Sequence, residues 1–233
     1  MTNPAEENAP HDPVLYHEII LALRPKSPGR YVDATLGAGG HAGGILEASS
    51  PDGCLLGMDL DPQALAIARQ RLARYGSRFS AVQRSYVHLR ETLAELGWQG
   101  VDGIVVDLGV SSMQIDTPQR GFSFQSDGPL DMRFGPEQPR SAAQIVNQWA
   151  EADLADILWR YGEERSARRI ARLMVQQRPF ETTRQLAEAI ARGSGGPRGK
   201  IHPATRTFQA LRIAGYDELR AVEELLPQAA EAL

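Results

Sequence analysis

Apolar residues follow two alternating rhythms along the first half of the chain. Short apolar runs of strand length at residues 30–34, 54–59, 79–83 and 101–108 are separated by longer stretches. In those stretches the apolar positions recur every three to four residues. The last run contains Ile104-Val105-Val106, a continuous β-branched string of the kind found in a central parallel strand. The longer stretches predict helices. Asp12-Pro13 sets a capping carboxylate before a proline at the first helical position and opens a helix through Leu23. Residues 41–48 form the next helix. Asp61-Pro62 repeats the capping signature and opens a third, to about Tyr75. Ser85 caps a fourth that runs to Leu96. This alternation predicts an α/β fold with a Rossmann-like, doubly wound parallel sheet.

The second half reads differently. Residues 111–140 are rich in Gly, Pro, Asp and Ser and lose periodicity. So long a loop inside a compact domain is functional or disordered, and Phe122, Phe124, Met132 and Phe134 argue for order. Helical patterns return at 141–149, 151–161, 165–177 and 183–192. A glycine-rich basic loop at 193–200 follows, then helices at about 203–213 and 217–232. The expected layout is one α/β domain, residues 1–112 with 204–233, interrupted by an inserted loop and helical segment, residues 113–203. The fourth strand would be left as an apolar sheet edge, which proteins usually cover. The expectation is therefore that C-terminal strands of the fold are missing from the chain.

Composition narrows the class. The chain has 233 residues, 42% of them apolar, enough for a sizeable core. Cys54, the only cysteine, lies in an apolar strand run, so neither a disulfide nor a cysteine-based zinc site is expected and a cytoplasmic setting fits. Residues 1–10 are polar and acidic without a signal core, and no apolar run approaches membrane-spanning length. Net charge is −4, but it is unevenly spread. Residues 160–220 hold 13 Arg or Lys against 6 Asp or Glu, a net of +7, and the remainder carries −11. That asymmetry predicts an anion-binding lobe on an acidic body.

Candidate chemistry centres on Gly37-Ala38-Gly39-Gly40-His41-Ala42, a degenerate nucleotide-binding fingerprint with alanine in the third glycine's place. Asp59, at the end of the second strand run and 22 residues after Gly37, can take a ribose hydroxyl pair. The pattern alone serves NAD, FAD and S-adenosylmethionine alike. Charge discriminates among them. Asp33, just before the loop, would repel a pyrophosphate seated there, yet it attracts the ammonium and sulfonium of S-adenosylmethionine. A nicotinamide-dependent oxidoreductase is the competing enzyme class. Asp33 and the absence of a catalytic His/Tyr–Lys arrangement count against it. Asp107 closes the fourth strand in Asp107-Leu108-Gly109-Val110-Ser111-Ser112. Three strand-end carboxylates on one rim also suit magnesium, but no phosphate loop accompanies them, so a metal ranks well below a cofactor.

Longer strings add a resemblance. His11-Asp12-Pro13-Val14-Leu15, the loop from Asp33 to His41, Asp59-Leu60-Asp61-Pro62 and Asp107-Leu108-Gly109-Val110-Ser111-Ser112 with Gln114 carry the first part. Arg120-Gly121-Phe122-Ser123-Phe124 and Asp127-Gly128-Pro129-Leu130-Asp131-Met132-Arg133 continue it. Tyr161-Gly162-Glu163-Glu164-Arg165 and His202-Pro203-Ala204-Thr205-Arg206-Thr207-Phe208-Gln209-Ala210-Leu211-Arg212-Ile213 complete it. Together these strings resemble the RsmH (MraW) family of 16S rRNA cytosine-N4 methyltransferases. The resemblance implies a class I methyltransferase fold with an inserted helical domain that helps recognise RNA. It implies cofactor contacts at Gly39, Gly40, His41, Asp59, Tyr86, Asp107 and Gln114, to which the residue reading adds Asp33 and Gly37. Two departures stand out. Gly215-Tyr216 occupies a place where the family usually has Val-Asn, and the family's C-terminal strand with its Ser-Phe-His-Ser stretch is lacking.

The implied reaction is methylation of a cytidine amine near the decoding centre of the small ribosomal subunit. Asp107, or a main-chain carbonyl in residues 108–111, is the candidate proton acceptor. Ser111, Ser112, Arg120, Phe122, Phe124, Asp131, Arg133 and Arg206 are the candidate substrate-binding residues. Phe122, Phe124 or Phe134 would either stack on a flipped base or form a small apolar cluster that pins the loop. Arg165, Arg168, Arg169, Arg198, Lys200 and Arg212 join Arg120, Arg133 and Arg206 as phosphate contacts. A homodimer is implied by the resemblance alone. The non-enzymatic alternative is a truncated form that binds RNA or a partner without turnover.

Overall fold

The computed structural model describes residues 13–136, 138–193 and 202–233. Asp12, Arg198, Lys200 and nearly all of the glycine-rich basic loop fall outside the described residues. The described chain divides into two compact units: residues 13–109 with 222–233, and the described residues of 110–221.

The first unit holds α1 (Tyr16–Leu23), β1 (Arg30–Asp33), α2 (Gly40–Ala48), β2 (Cys54–Asp59), α3 (Pro62–Leu72), β3 (Phe79–Gln83), α4 (Leu89–Glu95) and β4 (Gly103–Val105). The four strands form one parallel sheet in the order β3-β2-β1-β4, the doubly wound arrangement expected from the alternating pattern. Tyr31, Ile45, Leu55, Leu56, Leu65 and Leu72 are fully buried around it. The capping signature at Asp61-Pro62 works as the sequence predicts: Asp61 Oδ1 accepts the Gln63 N–H at 3.0 Å, with Pro62 opening α3.

Three boundaries differ from expectation. The first helix begins at Tyr16 through a left-handed Leu15, because Pro13 packs against Gly40 instead of opening the helix. Ser85 caps a 3-10 turn, Tyr86–His88, which then feeds α4. The fourth strand is three residues long rather than eight. At its start the Val101 N–H donates to Ala232 O at 2.8 Å, and beyond its end the Asp107 N–H donates to a side chain, Thr35 Oγ1, at 2.7 Å. Both departures take the backbone out of the ladder.

The second unit contains α5 (Ser112–Asp116), α6 (Ala142–Gln148), α7 (Glu151–Arg160), α8 (Ala167–Gln177), α9 (Thr183–Gly193) and α10 (Ala204–Tyr216). Its core gathers Leu130, Ile145, Leu154, Leu158, Ile170, Met174, Leu186, Ile190, Phe208 and Leu211. Helix α8 shows why: Ala167, Ile170, Ala171 and Met174 are buried at helical spacing, and the arginines between them are exposed. Helix α10 also belongs to this unit, where the sequence division had assigned residues from 204 onward to the α/β domain. The reason is packing, since Phe208 and Leu211 complete the helical core. The chain returns to the first unit within α11 (Glu218–Ala232), where Gln228 Nε2 donates to Val87 O at 2.7 Å.

The segment at 111–140 is held by main-chain bonds. Met132 N–H donates to Arg120 O at 2.9 Å and Leu130 N–H to Glu181 O at 3.0 Å. Gly121 sits at this crossing with φ +71°, and a Cβ there would lie 2.2 Å from Pro129 O and 2.7 Å from Asp131 N. Gly97 has a similar φ of +67° but open space around it. Gly121→Ala should therefore cost clearly more than the roughly 1–2 kcal/mol expected from left-handed strain at Gly97→Ala. Equal losses of stability in urea denaturation of the two variants would refute the backbone-contact explanation.

Candidate active site

Parallel pairing brings the carboxylates together. In register, Asp33 of β1 lies opposite Gly57 of β2 and Val105 of β4, so β1, β2 and β4 all end on one rim. Asp33 is 1% exposed. Its Oδ1 accepts the Thr35 N–H at 3.2 Å, and its Oδ2 is buried without a hydrogen-bond partner among the described residues. Burial pushes the Asp33 pKa up to about 7 against the pull of the Thr35 N–H. The negative charges of Asp59 and Asp107 add to the rise, and the Ala42 N–H opposes it. A buried carboxyl with an unmet oxygen and like-charged neighbours is poised to gain from a cation.

Asp59 ends β2 and ties the glycine loop down. Its Oδ2 accepts the Gly37 N–H at 2.7 Å and its Oδ1 accepts the Asp61 N–H at 2.9 Å. Burial raises its pKa as well, although these two N–H groups hold the rise back. Next along the rim, Arg84 N–H donates to Asp59 O at 3.0 Å, and Tyr86 follows, buried, in the 3-10 turn. Gly39 is the left-handed N-cap of α2. Gly40 must be glycine for a reason its sequence did not reveal: a Cβ there would lie 2.3 Å from Pro13 Cγ. His41 turns the same way. Its buried ring stacks on Tyr16 at 6.3 Å, and its Nε2 lies 3.2 Å from Val14 O. The residues before and in α1 thus buttress the start of the glycine helix.

Asp107 is exposed, and its carboxylate makes no hydrogen bond to any described residue. Its backbone is fixed by Thr35, which the sequence analysis passed over; a threonine inside the strand-to-loop turn was the available signal. Gly57 is a second missed residue. A Cβ there would sit 2.6 Å from Leu36 Cδ2, so the strand lets the loop lie close. A glycine within an apolar strand is the cue for such an approach.

In the second unit, Ser111 and Gln114 form a capping box at the start of α5, with distances of 3.0 and 3.3 Å, and Ser112 opens the helix. Gln114 is buried. Asp131 and Arg133 pair through two bonds of 2.7 and 3.0 Å, which raises the arginine's pKa. Arg120 Nη2 donates to Arg133 O and Phe134 O at 3.0 and 2.9 Å. Phe122 lies 5.2 Å from Phe134, and Phe134 lies 5.7 Å from Tyr216. Phe124 lies between His202 and Phe208 at 4.7 and 4.9 Å. These rings form an apolar cluster that anchors the loop. Arg206 Nη1 donates to Glu163 O at 3.1 Å, and Arg212 is engaged by Glu218 in a largely buried ion pair.

A parallel α/β sheet with a glycine loop after its first strand and carboxylates along the strand ends defines a class I, Rossmann-like cofactor-binding protein. The chain belongs to the MraW methylase family, whose sequence profile matches residues 8–233. It is 51% identical over 220 residues to the ribosomal RNA small subunit methyltransferase H of Dehalococcoides mccartyi, covering 94% of this chain and 63% of that protein. With the enzyme of the same name from Geotalea uraniireducens it shares 54% identity over 223 residues, 93% of this chain and 71% of the relative. The chain thus spans less than two thirds of the first relative's length. Among solved structures, an rRNA methylase from Streptococcus thermophilus aligns at 20% identity over 44% of this chain and 58% of its own, with a TM-score of 0.35.

The buried Asp33 has a consequence for stability. The folded protein keeps this carboxyl protonated up to about pH 7. In the unfolded chain it ionises near its ordinary value of about 4. Between those values the native state binds the extra proton, so stability falls as pH rises from about 4 to about 7 and levels off above. Asp33→Asn should remove that component of the decline in melting temperature. Wild type and variant with parallel pH profiles across this window would refute it.

Proposed function

We propose that this chain is an S-adenosylmethionine-dependent methyltransferase that modifies the N4 amine of a cytidine in 16S rRNA, near the decoding centre of the small subunit. Asp33 carries the reading: a buried carboxyl with an unmet oxygen beside a glycine loop that Asp59 pins. The names of the relatives support the RNA class. Ribosome assembly places the reaction in the cytoplasm.

S-adenosylmethionine supplies a methyl group already activated by a positively charged sulfur. Asp33 offers its charge to the cofactor's cationic end, and Asp59 retains acceptor capacity for ribose hydroxyls beyond the two N–H groups it holds. The Gly37–His41 loop gives the backbone close access, and Tyr86 provides an aromatic side for the adenine. The cytosine amine is a weak nucleophile because its lone pair is delocalised into the ring. The protein's main task is therefore to align the amine with the methyl, and proximity supplies roughly 7–11 kcal/mol at best. Asp107, exposed two residues beyond β4 with its backbone fixed by Thr35, accepts a hydrogen bond from the amine, localises its lone pair and takes up the released proton.

Adenosylhomocysteine should raise the melting temperature and NAD should not; the reverse would favour a nicotinamide-dependent oxidoreductase. Labelled methyl should pass from S-adenosylmethionine to small-subunit particles and be recovered as N4-methylcytidine, and recovery on any other atom would overturn the assignment. Asp107→Asn should lower turnover on the order of 10²-fold. Full turnover with only weaker cofactor binding would show that Asp107 is not the acceptor. Cofactor affinity should also rise with pH through about 7, as Asp33 ionises, and this dependence should vanish in Asp33→Asn.

A further inference from the structure

The turn between α7 and α8 carries cations and an aromatic ring that the methyl-transfer chemistry does not use. Arg168, Arg169 and Arg172 stand on the exposed side of α8, and Arg165 precedes that helix in the turn. All four are exposed. Arg172 pairs with Glu151 at 3.5 Å, but Arg165, Arg168 and Arg169 make no ion pair with any described residue. The turn itself is rigid. Glu164 N–H donates to Leu158 O at 3.0 Å and Ser166 N–H to Glu164 Oε1 at 2.7 Å. Helix α10 approaches so closely that a Cβ on Gly162 would lie 2.6 Å from Arg206 O. The bond from Arg206 to Glu163 O holds a further exposed guanidinium at the same turn.

Trp159 stands in the last turn of α7 and is 62% exposed. Tryptophan is highly buried on average, so an indole left in water on one side of a turn whose other side carries unmatched cations asks for a ligand with both a flat ring and negative charge. A single-stranded nucleic acid supplies both, through base stacking and phosphates. An acidic protein surface would match the arginines and leave the ring unused. We propose that Trp159 with Arg165, Arg168, Arg169 and Arg206 forms a docking surface for an unpaired stretch of the substrate RNA. One base stacks on the indole and the backbone phosphates lie along the arginines. The proposal rests on the reading that the substrate is rRNA.

The test is fluorescence anisotropy of the full chain with a labelled single-stranded RNA of about 12 nucleotides. Trp159→Ala should weaken binding about tenfold without changing its salt dependence, and Trp159→Phe should recover most of the loss. A triple Arg165→Gln, Arg168→Gln, Arg169→Gln variant should reduce the slope of log affinity against log salt by about 2. Stabilisation by adenosylhomocysteine reports that each variant is folded. If wild type binds and methylates RNA while the variants match it in affinity and slope, this surface is refuted and the substrate reading stands. Should wild type neither bind RNA nor methylate small-subunit particles, both fall. Polyglutamate competing as strongly as RNA would reassign the surface to an acidic protein partner.

Discussion

The Asp59 carboxylate accepts N–H groups from two directions, from Gly37 in the loop after β1 and from Asp61 at the cap of α3. Much of the site depends on this pair of bonds. The loop must lie over the end of β2, which requires Gly57 beneath Leu36, and it must turn through Gly39 into α2. Once it does, α2 presents Gly40 to Pro13 and His41 to Tyr16, so the residues before and in α1 are drawn into the support of the loop. A carboxylate that serves as an internal anchor is thereby also on hand for ligand hydroxyls.

The same register creates the site's electrostatic tension. Ending β1, β2 and β4 on one rim places Asp33 within the fields of Asp59 and Asp107, and the fold then buries Asp33 almost completely. An isolated protein carries this as a destabilised carboxyl. A positively charged ligand would convert it into binding energy. Conformational stability and cofactor affinity are linked through one residue, and a carboxylate in this position discriminates against phosphate-bearing nucleotides by repulsion alone.

The helical unit solves a different problem. Its long connecting segment has little regular structure, so its order comes from Arg120 donating to two carbonyls, from the Asp131–Arg133 pair and from a cluster of phenylalanines. Many side chains expected to touch substrate are thus already engaged in shaping the loop. Arg165, Arg168 and Arg169 are not so engaged; Arg168 and Arg169 lie on the exposed side of a helix whose other side is buried core, and Arg165 precedes it in the turn. A rigid scaffold with its cations held outward needs little reorganisation to meet a polyanion.

Periodicity and local capping chemistry were sufficient to read the alternating sheet, the Asp61 cap, the glycine loop and the strand-end positions of Asp33 and Asp59, because each depends on residues close in sequence. The basic helical lobe was legible for the same reason, as charge and helical spacing are local properties. What only the tertiary structure decided involves partners far apart in the chain. Asp59 restrains a loop 22 residues upstream, and Thr35 holds Asp107 from 72 residues away. Gly40 yields to Pro13, β4 is cut short by bonds to α11 and to a side chain, and Phe208 draws α10 into the helical core. A sequence states which groups are available for hydrogen bonding and burial. Which distant group meets them is settled only when the packed chain excludes water from the alternatives.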